Sequence, residues 1–550
     1  YDRSIMGSGK KNDFILQGSI LAAAGIITRF IGLIYRAPLT RIVGTEGMAY
    51  YNTAYEIYNL VLLLSTYSVP VAVSKLISSF DARKEYKNSQ RTMRIAFYVS
   101  LSLGGAGALL LFIFAKPLAS AMGWPSAAIP LRVLAPTVFV FSVMGVIRGY
   151  FQGKRTMVPT SFSQLIEQTV NAIVSVVAAL LLANAYKDSA DAAAYAASGG
   201  TAGTLFGAIA GLVFLVFILW INRGYFAKQK NKDMTGVSYP DTKLAKMVVL
   251  TMLPIVLGQS VYQLSGIIDN TMFGRIMESK QMIESDRAVI WEAYSNRFKW
   301  LSNLPVAIAT AFGVSIVPMV ANSFSQNNIE DVKVKIKKAV KLNMLIAIPS
   351  AIGLAAIARP VINLVFGDVG ETLSPKLMML GSAAVVFFAY STITNGILQG
   401  IGKLKTPVIH AAISLGVHVV FLYVMLQFFE LSAYGLVIGN VTYALLVSIL
   451  NFRSIELSLE YRQEIRTTFL IPLAASAVMG LVARGVYELV YLVVSINAIA
   501  VVFALLFAVP AYLVGLLLFK GVTKEEVYDM PKGRLLVKAA QKLKLLKEEE

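Results

Sequence analysis

Long apolar runs of about 20 residues recur along the whole chain, and they constrain the fold more than any other feature. A run of this length matches the hydrocarbon core of a bilayer, where the backbone must satisfy its own hydrogen bonds. The runs are continuous rather than alternating, which indicates helices and not barrel strands. Hydrophobic residues make up 56% of the 550 positions and charged residues only 15%, whereas a soluble protein carries about 25% charge. The sequence therefore predicts an all-α polytopic membrane protein.

Fourteen transmembrane helices are predicted from the ends of the apolar runs. They lie at residues 14–36, 53–78, 93–114, 130–150, 158–184, 200–221, 245–272, 298–320, 339–358, 376–398, 407–428, 433–452, 468–490 and 495–519. The first run is too long for the apolar core of a signal peptide and lacks a small-residue cleavage pattern.

Basic residues are concentrated in every second loop. Examples are Arg83 and Lys84 after the second span and Lys154 and Arg155 after the fourth. The intervening loops are nearly neutral or acidic. Since cytoplasmic loops carry the excess of Lys and Arg, this asymmetry predicts that both termini are cytoplasmic. It also explains the net charge of +19 without a nucleic-acid partner.

An internal repeat relates the two halves of the chain. The segments RGYFQG at 148–153 and NGILQG at 395–400 share two glycines and a glutamine at a constant offset of 247. A duplicated unit of six spans keeps its orientation, so two six-helix lobes are expected in a pseudo-two-fold arrangement, with two C-terminal helices outside the repeat. The predicted domains are residues 1–243 with a basic linker at 222–243, residues 244–455, residues 456–520, and a basic amphipathic tail at 521–550.

The first span carries Arg29 and Arg36, which lie seven residues apart and therefore on nearly one helix face. Gly18, Gly25 and Gly32 form an adjacent stripe that permits close helix packing. A guanidinium inside a bilayer costs about 2.5–3.5 kcal/mol on insertion scales, so it turns towards protein or water. Two interpretations stay open for Arg29: a place in an aqueous cavity, or an extension of the side chain to the headgroups.

Polar side chains also follow single faces of the fifth and seventh spans. Gln164 belongs to the first stripe, with Glu167 beside it, and Gln259 and Gln263 belong to the second, with Asp269 beside it. The amides either contact cargo or form hydrogen bonds between helices. A carboxylate in an apolar span requires a cationic partner, a proton or a metal ion, so Glu167 and Asp269 are candidates for coupling or gating.

Arg297 precedes the eighth span and is either an interfacial anchor or a cavity residue facing Arg29 from the opposite lobe. A cationic cavity favours an anionic cargo, because guanidinium groups suit phosphate oxygens. The sequence has no cysteine, and His410 and His418 have no accompanying ligand set. Without a nucleotide-binding or hydrolase motif, the chain is predicted not to be an enzyme and to hold no catalytic group, metal or cofactor.

The chain resembles the MurJ/SpoVB-type lipid-linked oligosaccharide flippases of the multidrug/oligosaccharidyl-lipid/polysaccharide (MOP) superfamily. The resemblance covers the whole chain. It rests on TRFIG at 28–32, RIVG at 41–44, RGYFQG at 148–153 with the Gln and Glu pattern that follows, and Asn296-Arg297 ahead of Pro318.

The resemblance implies alternating access in the bacterial plasma membrane, with a polyprenyl-pyrophosphate saccharide, typically the peptidoglycan precursor lipid II, crossing to the outer leaflet. Its tail would follow a groove at the last two helices, and Arg29 and Arg297 match positions implicated in cargo binding. The implied partners are this lipid, the bilayer and the cell-wall synthesis machinery. The driving force would be the membrane potential or a coupled cation, Na⁺ or H⁺. This chain departs from Gram-negative members at Tyr35-Arg36 and at Leu62 and Leu63.

Two other functions stay open at this stage. A drug/cation antiporter of the same superfamily would require carboxylates and aromatic side chains in its cavity rather than arginines. A non-transporting scaffold for wall or spore-coat assembly would have no reason to place arginines in an aqueous cavity.

Overall fold

The computed structural model describes residues 10–367 and 372–523, and within these ranges the chain is built from helices joined by short turns. The eighteen α-helices are α1 Lys10–Leu62, α2 Val69–Ala82, α3 Tyr86–Ala121, α4 Ala128–Gly153, α5 Val158–Ala185, α6 Ala192–Ile221, α7 Arg223–Asn231, α8 Asp241–Ser279, α9 Glu284–Glu292, α10 Lys299–Ser325, α11 Ile329–Ala356, α12 Ala358–Phe366, α13 Leu373–Gly381, α14 Ala383–Gly400, α15 Thr406–Gln427, α16 Ser432–Leu459, α17 Ile471–Val494 and α18 Asn497–Leu518. Three π-helical segments precede α-helices. Ala293–Phe298 and Arg466–Leu470 lead directly into α10 and α17, and Leu63–Tyr67 is separated from α2 by one residue.

The predicted all-α membrane fold is confirmed, and helix covers the body of each of the fourteen predicted spans. Among the described residues, eleven helices are long and apolar enough to cross a membrane, or twelve if the bent pair α13 and α14 forms one span. The number of crossings therefore stays a prediction. The tail at 521–550 lies outside the described residues except for its first three positions.

The first two predicted spans belong to one helical segment with a sharp kink. Residues 37–52, expected as a loop, are helical in α1, and Gly44 interrupts the helix with φ 74° and ψ 174°. The prediction was wrong here because it followed hydropathy, whereas helix geometry continues through polar and aromatic positions that pack against other helices. The backbone conformation of Gly44 is one that only glycine adopts without strain.

The chain divides into two compact units, residues 1–289 and 290–550. This grouping by contact does not test the domain boundaries inferred from the repeat, which stay predictions. Each unit contains its own apolar core of buried aliphatic and aromatic side chains.

One helix contact recurs in both units at the repeated glycines. In the first unit a Cβ on Gly149 would lie 2.7 Å from the Pro70 carbonyl oxygen, because α4 packs directly on α2. In the second unit a Cβ on Gly396 would lie 2.3 Å from the Gly313 carbonyl oxygen, where α14 packs on α10. Glycine is required at both crossings because the backbones approach too closely for a side chain. The shared contact supports the duplication.

The predicted linker at 222–243 is a structured segment held on the N-terminal end of α3. The Asn88 amide donates to the Val237 carbonyl over 2.9 Å and accepts from the Tyr239 N–H over 3.2 Å. Lys154 is also involved, since its ammonium lies 2.8 Å from Asp81 and 3.0 Å from Gln229 of α7. These contacts tie α2, α3, α4 and α7 together at one end of the first unit.

Candidate functional site

Arg36 is held by the second arm of α1, across the kink at Gly44. Its Nη2 donates to Asn52 Oδ1 over 2.7 Å, and its guanidinium carbon lies 5.2 Å from the centroid of the Tyr51 ring. In a straight helix, residues 36 and 52 would be about 24 Å apart. The contact therefore requires that the two arms fold back on each other, and it fixes a cation against an aromatic face.

A row of tyrosines continues from this contact along the second arm of α1. The Tyr51 and Tyr55 rings are 4.6 Å apart and the Tyr55 and Tyr58 rings 5.8 Å. Tyr55 exchanges a hydrogen bond with Thr204 of α6. The hydroxyl groups place polar atoms in the interior of this apolar bundle.

Glu167 has the cationic partner that its position demands, and that partner is Arg148. Arg148 Nη2 lies 2.8 Å from Glu167 Oε2, and Arg148 Nε donates to Ser163 Oγ over 3.0 Å. The two side chains are only 11% and 12% exposed. Pro159 follows the turn from α4 to α5, so the two charged groups, 19 residues apart, meet on facing helices. A buried pair of this kind holds its helices together because either charge alone would be unfavourable in the interior.

The C-terminal half of α8 contributes polar contacts to the first unit. Asn270 is fully buried and donates to Thr53 Oγ1 over 3.0 Å and to Glu56 Oε2 over 2.8 Å. Asp269 is fully buried beside it. The predicted polar face of the seventh span therefore turns inward at this end, towards the second arm of α1.

Arg297 lies in the second unit and is also part of a buried ion pair. It is 2% exposed, and its Nε lies 2.9 Å from Glu292 Oε2. Asn296 donates to the other carboxylate oxygen over 2.8 Å. The π-helical segment Ala293–Phe298 brings these side chains together, since its wider turn aligns residues five apart in place of four.

The remaining predicted site residues are distributed along the first unit. Arg29 is exposed on the first arm of α1, Gln164 is half-buried on α5, and Gln263 is exposed on α8. The side chain of Gln259 lies outside the described positions. A shared cargo site for the full predicted set stays a prediction.

Sequence reasoning missed three partners: Asn52, Arg148 as the counter-ion of Glu167, and Glu292. Glu292 lies six residues before the predicted start of the eighth span, where an acid looked like an ordinary loop residue. The spacing of Glu292 and Arg297 is five, which signals a pair only if a π-helical turn is assumed. Within the described residues, no three His, Cys, Asp or Glu side chains are grouped so as to hold a metal ion.

The comparisons with known proteins agree with this architecture. Residues 16–324 match the family described as polysaccharide biosynthesis protein, which is more than half of the 550 residues. The chain belongs to this family. Residues 254–424 also match the MatE family. Within the MOP superfamily it is a MurJ/SpoVB-type member.

Two relatives from Bacillus subtilis (strain 168) are similar over most of their length. The chain is 27% identical to lipid II flippase MurJ over 74% of this chain and 76% of that protein. It is 25% identical to stage V sporulation protein B over 96% of this chain and all of that protein.

Solved structures of the superfamily show the same fold. A lipid II flippase MurJ in an inward closed conformation aligns with a TM-score of 0.63 at 15% identity, covering 90% of this chain and 97% of that one. An inward-facing multidrug resistance MATE family transporter aligns with a TM-score of 0.65 at 16% identity, covering 79% and 94%. At this identity the likeness concerns the fold, and the function requires its own argument.

Proposed function

We propose that this member of the family is a lipid flippase. It moves a polyprenyl-pyrophosphate-linked saccharide, with the peptidoglycan precursor lipid II as the first candidate, from the inner to the outer leaflet of the plasma membrane by alternating access. It does so as a transporter with no catalytic step, and both of its termini lie in the cytoplasm.

The observation that carries the proposal is the held guanidinium of Arg36. Asn52 and the Tyr51 ring fix its position on the folded α1. Arg29 is exposed and lies seven residues earlier, about two helical turns, on nearly the same helix face. A guanidinium in a fixed orientation presents N–H donors that match phosphate oxygens. An arginine pair on one helix thus suits a pyrophosphate better than an organic cation.

Glu167 is the proposed gating carboxylate. Its pairing with Arg148 means that a coupling cation, H⁺ or Na⁺, or a rearrangement driven by the membrane potential must act on a charge pair and not on an isolated acid. Asp269 and the pair of Arg297 with Glu292 are secondary candidates. In the conformation described, Arg297 must exchange Glu292 for cargo before it can bind a phosphate.

The test is transfer of a labelled polyprenyl-pyrophosphate saccharide across vesicles containing the purified chain. The variant Arg29→Ala/Arg36→Ala should slow transfer roughly tenfold or more, because each lost charge-assisted hydrogen bond contributes about 1.5–3 kcal/mol. Replacing Arg36 by Lys instead of Ala should retain part of the transfer rate, since lysine keeps the charge but not the forked donors.

The matched control is Arg223→Ala, which removes an exposed cation on α7 outside the predicted spans. Its rate should equal that of the unmodified chain. Undiminished transfer in both Arg29→Ala and Arg297→Ala would refute the cargo-site assignment.

The MatE match and the likeness to multidrug transporters favour one competing function, export of an organic cation. Saturable efflux of such a cation against its gradient, with no saccharide-lipid transfer in the same vesicles, would establish that alternative.

A further inference from the structure

The second unit contains a groove between α14, α16 and the segment that precedes α17. It has a volume of about 360 Å³ and is lined by ten residues, which puts it within the usual size range of small-molecule sites. Val386 and Tyr390 mark its extent on α14, and Leu445 and Phe452 mark it on α16. None of its residues is among the predicted substrate-binding side chains, although Phe469 lies in the thirteenth predicted span, where the resemblance places the groove for the cargo tail.

The groove is lined mainly by hydrocarbon, and two of its polar lining side chains are hydrogen-bonded within the protein. Ser448 donates its hydroxyl to the Phe387 carbonyl over 2.8 Å. The Gln463 amide donates to Glu464 O and Thr468 Oγ1, both over 3.3 Å, and accepts from the Tyr461 hydroxyl. Since Ser448 and Gln463 are already hydrogen-bonded within the protein and most of the other lining side chains are aliphatic or phenylalanine, the groove favours an apolar chain over a polar ligand.

The wall nearest α17 is fixed by an ion pair. Glu464, between two lining residues, lies 2.6 Å from Lys337 of α11. The Tyr390 and Phe469 rings meet at 5.7 Å across the groove floor. The mouth is formed by Ile449 and Ile465, which are 52% and 60% exposed. The groove is therefore a built feature with an apolar opening.

Two arginines flank this wall. Arg462 and Arg466 are exposed and adjoin the lining residues Gln463 and Ile465 in sequence. Neither forms an ion pair within the described ranges, whereas nearby Arg453 is paired with Glu456. Guanidinium groups beside an apolar groove match a molecule with a hydrocarbon chain and a phosphate.

The length of the groove separates two lipids of this chemistry. From Leu445 to Phe452 it follows α16 for roughly 10 Å at 1.5 Å per residue. That is shorter than one leaflet of a hydrocarbon core about 30 Å thick. A polyprenyl tail must move out of so short a groove when its headgroup crosses the membrane. A lipid that stays in one leaflet can remain in the groove.

We propose that this groove binds one acyl chain of an anionic phospholipid, whose phosphate is held by Arg462 and Arg466. The lipid is a resident partner of the second unit and is distinct from the transported cargo.

The test is native mass spectrometry of the delipidated full chain, titrated with dioleoylphosphatidylglycerol or with zwitterionic dioleoylphosphatidylcholine. The first phosphatidylglycerol should bind at a concentration at least fivefold lower than the first phosphatidylcholine. Leu445→Trp, which fills the groove, should raise the phosphatidylglycerol concentration for half-occupancy at least fivefold. Leu457→Trp on the exposed face of the same helix should leave it unchanged.

The arginines are tested separately with Arg462→Gln/Arg466→Gln, which is exposed and tests the proposal even if Leu445→Trp does not fold. This variant should bind the two lipids within twofold of each other, while Arg453→Gln keeps the preference. Equal binding by Leu445→Trp and Leu457→Trp, or a preference that survives loss of both arginines, would overturn the proposal. So would stoichiometric displacement of phosphatidylglycerol by a polyprenyl phosphate, which would make the groove a cargo-tail site.

Discussion

The same kind of backbone contact at a repeated glycine is found inside each of the two units, but the side chains around it differ. The repeat offset of 247 relates Arg148, Ser163 and Glu167 of the first unit to Asn395, His410 and Ser414 of the second. In the first unit these positions form a buried ion pair with a hydroxyl beside it. In the second, Asn395 Oδ1 lies 2.8 Å from Asn451 Nδ2, and His410 Nδ1 lies 2.8 Å from Asn451 Oδ1.

This difference shows that duplication preserved packing and not electrostatics. The glycines must remain because the backbones touch, whereas the polar groups need only satisfy one another. A buried carboxylate that loses its guanidinium partner costs several times more free energy than an amide that loses one hydrogen bond. We therefore expect functional sensitivity to charge at this level to reside in the first unit.

The sharpest test of the contrast is removal of Arg148. Arg148→Met leaves Glu167 buried without its counter-ion and should lower the free energy of unfolding by about 3–5 kcal/mol. Denaturant unfolding in detergent micelles measures the loss. Arg148→Met/Glu167→Met should recover most of it, since a buried pair is replaceable by apolar groups. A single variant as stable as the double would contradict the contrast.

The shared glycine contact should behave alike in both units. Gly149→Ala and Gly396→Ala each place a methyl against a carbonyl oxygen of the neighbouring helix, and each should cost about 1–3 kcal/mol of stability through overpacking. Thermal unfolding of the two variants checks this. Gly416→Ala on α15, where a Cβ meets nothing within 4 Å, is the matched control and should be neutral or stabilising. A large effect in one unit alone would argue against a common packing.

Asn395→Ala tests the neutral counterpart of Arg148. The Asn451 Nδ2 group would keep Thr394 Oγ1 at 3.1 Å as an acceptor, so no buried donor is left without a partner. Loss of the bond to Asn451 should cost about 1 kcal/mol, the net contribution of a typical hydrogen bond. The same unfolding measurement applies, and a loss as large as that of Arg148→Met would show that the two networks are energetically equivalent.

The smallest effects are expected from two acidic residues, Asp233 in the first unit and Glu464 in the second. Each lies in the connection that follows the sixth predicted helix of its unit. Burial alone would raise the pKa of Asp233, but hydrogen bonds from the Lys87 N–H and Thr235 hold it below its ordinary value. The Lys337 ammonium, 2.6 Å from the Glu464 carboxylate, lowers the pKa of Glu464. Each carboxylate therefore contributes stability above its unfolded pKa, about 3.9 for Asp and 4.3 for Glu, and the contribution is lost as the pH falls through the lower folded pKa.

Asp233→Asn and Glu464→Gln measure these contributions. Each variant should be less stable than the unmodified chain near pH 7, and the difference should vanish at acidic pH. Added salt at neutral pH should reduce the Glu464 difference more than the Asp233 difference, because Glu464 depends on a half-exposed lysine whereas hydrogen bonds are the main groups that hold Asp233. A salt effect at Asp233 as large as that at Glu464 would contradict the assignment of its anchoring to hydrogen bonds.

Helix positions were predictable because lipid imposes one solution on an apolar run of sufficient length. The need for a cation beside Glu167 was equally predictable from the cost of a buried carboxylate. Which cation pairs with Glu167 was not predictable, because the pairing depends on which faces of α4 and α5 meet. Arg148 belongs to RGYFQG, which was interpreted as part of the internal repeat and not as a source of a counter-ion.

The features that hydropathy missed are local departures from regular helices. Glu292 reaches Arg297 and Asn296 through a π-helical turn, which has no composition signature. The Arg36–Asn52 contact depends on the kink at Gly44, and glycine is too common in membrane helices to mark one position. Long-range geometry decides both cases.

The kink at Gly44 also has a stereochemical consequence. No atom outside its immediate chain neighbours lies within 4 Å of the position that a Cβ would occupy, so a larger residue would meet no obstacle there. Its torsion angles, φ 74° and ψ 174°, are the mirror image of an ordinary extended conformation. The fold therefore demands a handedness at this residue and not a small volume: D-alanine would fit where L-alanine is strained. Glycine is the one encoded residue that is free of that distinction.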